Sequence, residues 1–121
     1  MGASTSRWPP EPSSYDIVGV DGYNHVHRWR SPAEIFQSAE DFAVSRGKPL
    51  LIGEIGCEEQ PGDPSAKAGW IRQAASLFRS WPDVRAIMWS NTGGGGGDFW
   101  LDSSPQALAA FTAAGHSRPY A

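Results

Sequence analysis

Apolar positions fall into two kinds of run along the chain. Short, nearly continuous runs occur at Ile17, Val18 and Val20, at Leu50, Leu51 and Ile52, and in "VRAIMW" from Val84 to Trp89. Runs of this length suit strands buried on both faces. The segments between them carry apolar residues at helical spacing. Ile35, Phe36, Ala39, Phe42 and Ala43 share one face; Trp70, Ile71, Ala74, Leu77, Phe78 and Trp81 share another.

Local signals bound these elements. Ser31, Pro32 and Glu34 form a helix start with a capping box, and Gly47 supplies the stop. Asp63-Pro64 opens a second helix, which Pro82-Asp83 breaks. Ser104-Pro105 opens a third, expected to run to about Ala114 with Gly115 as its stop. Asp21-Gly22 reads as a turn after the first strand. Residues 1–14 lack periodicity and are expected to be irregular, leaving 15–121 as the structured domain. The predicted order is βαβαβα, an α/β class with right-handed parallel crossovers. The αβ connections are short, and the βα connections are long and rich in Trp, His, Asp, Glu and Gly. In α/β folds ligands sit on the βα side.

Composition sharpens this reading. The chain has 121 residues, enough for one small domain, and 40% are hydrophobic, which excludes a disordered chain. Net charge is −3 with no basic cluster, so no nucleic-acid partner is expected. No apolar run is long enough for a membrane span, and the N-terminus has no signal-peptide core. Six tryptophans exceed what such a core needs, and some are expected to stack on a ring-shaped ligand. Cys57 is the single cysteine, so no internal disulfide forms, and it reads as an inert core-edge residue.

"LLIGEIGC" raises the chemical question. Glu54 stands between glycines inside an apolar run, where an unpaired carboxylate is costly to bury. It belongs either at a polar site at the strand's C-terminal end or in a structural ion pair. Asp21, Tyr23, Trp89 and Asn91 fall at the same ends of their strands. His25 and His27 could hold a metal together, but no third ligand follows in sequence, so no metal is expected. The glycine run 93–97 lacks the Lys-Ser/Thr of a phosphate cradle, and no cofactor is expected.

The strand ends "VGVDGYN", "IGEIG" and "IMWSN" together resemble the last three strands of clan A retaining glycoside hydrolases, nearest to family 26 mannanases and related endoglucanases. The likeness runs from about Tyr15 to Phe111. It implies a partial (β/α)8 barrel of about three βα units, strands six to eight, in a secreted enzyme acting on β-linked polysaccharide such as β-mannan or β-glucan. It implies Glu54 as the nucleophile, Tyr23 as its aromatic neighbour and Trp89 as a sugar floor. Asn91, Asp21 and Trp100 are further substrate-binding candidates, though Asp21 also reads as turn chemistry. The family's acid/base glutamate lies on the fourth strand, which this sequence lacks. Glu58 and Glu59 lie beside the nucleophile, where the family places no acid. The chain is therefore expected to be inactive alone and to self-associate through exposed sheet edges. The alternatives are a non-catalytic carbohydrate-binding or structural half-barrel needing a partner, and an unrelated doubly wound domain.

Overall fold

The computed structural model describes residues 10–116. Most of the expected irregular N-terminal segment, and the last five residues, lie outside them. Pro12–Ser14 form a single 3₁₀ turn rather than irregular chain. Six main elements follow: β1 (Val18–Asn24), α1 (Pro32–Arg46), β2 (Leu50–Cys57), α2 (Ala66–Arg79), β3 (Val84–Trp89) and α3 (Pro105–His116).

The boundaries have local causes. Ser31 and Glu34 make the reciprocal capping box, and Gly47 ends α1 at φ 64°, a left-handed geometry that disfavours side chains. Asp63 starts the second helix less directly than expected. Its carboxylate accepts from the backbone and hydroxyl of Ser65, and α2 begins one residue later. Ser104 caps α3 through the Ala107 N–H, but Gly115 does not stop it; the helix continues to His116. Asp21-Gly22 is not a turn. Both residues lie within β1, paired to β2, because ladder bonds outweigh local turn preference.

The strands are parallel in the order β1-β2-β3, so chain order and sheet order coincide. Right-handed crossovers between successive strands then place every helix on one face. α1 packs on α2 and α2 on α3 accordingly. The core lies between this helical layer and the sheet. Leu50, Ile52, Ile55 and Cys57 of β2 meet Phe36, Trp70, Ile71 and Phe78 there. Among the described residues the other face carries no helix, so the strands are covered there on one face rather than on both. Gly19, Asp21, Glu54, Ala86 and Met88 are exposed. β1 and β3 are both edges of the described sheet.

At the N-terminal end of the strands, Glu40 of α1 is buried beside Asp83. Burial, then the hydrogen bond and negative charge of Asp83, push its carboxyl up to about 7. Among the described residues the buried carboxylate is therefore Glu40, and Glu54 is exposed.

Candidate functional site

An irregularity in β2 decides where Glu54 points. Val20 pairs with Ile52, but Asp21 pairs with Glu54, so Gly53 is an extra residue on β2. Side chains alternate along a strand, and without the bulge Glu54 would follow Ile52 into the core. With it, Glu54 emerges on the helix-free face beside Asp21, and Ile55 returns to the core. On that face the Tyr23 hydroxyl donates to Glu54 Oε1 and lies 3.4 Å from Ser90 Oγ. One residue from each strand end thus meets at one point.

Phe99 fixes the tyrosine. It is buried under the glycine loop, with its ring centroid 4.9 Å from that of Tyr23. Gly56 opposite has no room for a side chain. A Cβ there would stand 2.8 Å from the Phe99 ring and 2.9 Å from the Tyr23 ring. The loop is tied back by Phe99 N–H to Thr92 O, and by Leu101 N–H to Asn91 Oδ1. Asn91 is thus committed to holding the loop by its side-chain oxygen.

Trp89 packs on the other side of the sheet from Glu54. Strand alternation turns it to the helical side, where its ring meets Trp70 and Phe111 edge-on and its indole N–H donates to Phe99 O. Lys67 Nζ stands 5.7 Å from its ring centroid. The indole packs under the loop that carries Phe99. Trp100 is 45% exposed and lines a cavity of about 360 Å³ with Glu58, Glu59, Asp98 and Ser103. Below it, fully buried Lys67 donates to Trp100 O and Ser103 Oγ, and Ser103 Oγ donates to Glu59 Oε2. Burial pushes the Lys67 ammonium down, and Glu59 opposes the shift.

Cys57 is buried with its thiol pushed up to about 12, chiefly by desolvation, so it stays protonated and unreactive. His25 and His27 stack at 5.3 Å, and Glu58 from the β2–α2 loop joins them, which brings in the third ligand that sequence spacing did not reveal. Phe99, Ser90 and Lys67 also escaped the sequence reading, because their roles are contacts between distant segments.

The arrangement offers an exposed carboxylate with a phenol donor, and a cavity walled by indole and carboxylates on the loops after β2 and β3. No family model matches the chain. It is 32% identical over 120 residues to endoglucanase H of Acetivibrio thermocellus, covering 91% of this chain and 13% of that enzyme. The chain therefore spans about an eighth of that relative's length. A GH128 (subgroup VII) oligosaccharide-binding protein from Trichoderma gamsii shares its fold, with a TM-score of 0.57 and 19% identity. That match covers 96% of this chain and 48% of the neighbour.

Proposed function

We propose that this chain is the C-terminal part of a retaining clan A glycoside hydrolase acting on β-linked polysaccharide, β-glucan or β-mannan, with Glu54 as nucleophile. The observation that carries it is the Tyr23–Glu54 hydrogen bond on the helix-free face. A retaining nucleophile attacks as the carboxylate, and the phenol donor at Oε1 holds that oxygen in place. Sequence likeness to an endoglucanase and a fold shared with half of an oligosaccharide-binding protein support the reading. The unreversed parallel strand order is compatible with three successive strands of such a barrel.

The mechanism needs a second carboxyl about 5–5.5 Å from the first. In the family that group comes from an earlier strand, which these three strands do not include. Such strands would pair with the β1 edge and cover the bare face above Asp21, Glu54 and Met88. An apolar groove of about 630 Å³ by β3, lined by Ile71, Phe78, Ile87 and Phe111, would receive a further helix. Alone, the chain should release no reducing sugar from β-mannan or β-glucan and should associate through these surfaces.

The test is complementation. The chain is co-expressed with the part of endoglucanase H that precedes the matched segment. Expected is a stable complex with endoglucanase activity that needs Glu54. A stable complex without activity would favour the second reading, a carbohydrate-binding half-barrel, for which the indole-walled cavity at Trp100 is the supporting feature. A chain active alone would overturn both.

A further inference from the structure

We propose that His25, His27 and Glu58 form a binding site for one divalent transition ion of the zinc class. Each offers one ligand atom, and the three atoms lie within 4.8 Å of one another. His25 Nδ1 already stands 3.3 Å from Glu58 Oε1. Two ligands on tetrahedral zinc, each about 2.0–2.1 Å from the ion, are separated by about 3.3 Å. One pair therefore has the required spacing, and His27 closes the rest by a side-chain rotation on an exposed loop.

The chemistry of the donors selects the ion. Two imidazoles and one carboxylate suit zinc, nickel or copper(II), while calcium and magnesium prefer all-oxygen shells. Three protein ligands leave a position open to water. A supporting contact is present too: the Val26 N–H donates to Glu58 Oε1 and orients the carboxylate, as outer partners of metal ligands do. His25 packs beside the Tyr23–Phe99 ring pair, its ring 5.6 Å from that of Phe99, so one ligand is preset. The ion would join the loop after β1 to the loop after β2, beside Tyr23. This inference does not rest on the glycosidase reading.

The test is zinc titration of the untagged chain by calorimetry. Expected is one zinc per chain with Kd below about 10 μM. His25→Ala, His27→Ala and Glu58→Gln should each weaken it at least ten-fold, while His116→Ala leaves it unchanged. Cobalt(II) on the unsubstituted chain guards against variants that fail to fold. It should give the strong visible absorption of four- or five-coordinate cobalt, bleached by zinc and not by magnesium. No binding below about 1 mM, binding unaffected by all three substitutions, or the pale six-coordinate spectrum of aqueous cobalt would overturn the site and leave an ordinary His25–Glu58 contact.

Discussion

The Tyr23 hydroxyl donates a hydrogen bond to Oε1 of Glu54 across the β1–β2 pair. The two residues are 31 apart in sequence. They meet because the Gly53 bulge turns Glu54 out of the core and because Phe99 wedges the phenol from behind. Each support can be removed separately.

The wedge depends on Gly56. Gly56→Ala would place a methyl group within 2.9 Å of both the Phe99 and Tyr23 rings, and neither ring can retreat without moving the loop. The substitution should cost about 1–3 kcal/mol. Thermal unfolding should show the drop. Gly19→Ala is the control, since a Cβ there meets nothing within 4 Å and its Tm should hold. Equal Tm values for the two variants would refute the wedge.

Stability should fall as pH rises from about 5 to 8 through Glu40. Its folded value of about 7 lies above the ordinary 4.5, so in that window the folded chain holds a proton that the unfolded chain releases. Glu40→Gln keeps the shape and removes the ionisation. Its Tm should exceed the parent's at pH 8 by roughly 4 °C or more and approach it at pH 4.5. A constant difference across that range would show that Glu40 is not the titrating group. The effect belongs to the end of the sheet remote from Glu54, so sugar binding should not follow it.

Two tryptophans separate packing from recognition. Trp89→Ala removes a ring wedged against Trp70 and Phe111 and should destabilise by about 3–5 kcal/mol. Trp100 is 45% exposed, and Trp100→Ala should leave Tm nearly unchanged. If the cavity beside it holds a sugar, the fluorescence response to cellohexaose or mannohexaose should vanish with Trp100 and persist in a folded Trp89→Phe variant. The reverse pattern would return the floor to Trp89.

Element order and helix caps were legible in the sequence because they are local. Ser31 with Glu34, and Gly47, are decided within one turn of chain. What was not legible was the side on which strand residues emerge. Trp89 lies at the expected strand end, yet alternation turns it toward α2 and α3. Glu54 points outward only through a bulge that Gly53 permits and no spacing announces. Glu58 completes a ligand set with residues 31 and 33 positions earlier, a relation created by parallel pairing of β1 and β2. Buried Glu40 sits at a helix position that reads as polar surface, and its partner Asp83 is 43 residues away in sequence.

The decisive prediction concerns Glu54 in the complemented barrel. Glu54→Gln keeps size and hydrogen-bonding shape but removes the negative charge that attacks the anomeric carbon. Turnover should fall by several orders of magnitude while substrate still binds. Tyr23→Phe removes the donor but not the carboxylate, so a smaller loss of about 10- to 1,000-fold is expected, with the ring still packed on Phe99. The ranking matters, because a structural hydrogen bond would behave differently. Were the pair only structural, both substitutions would lower Tm alike and leave turnover nearly intact. Retention of more than about a tenth of the activity by Glu54→Gln, a loss below roughly 1.4 kcal/mol, would end the assignment of Glu54 as nucleophile.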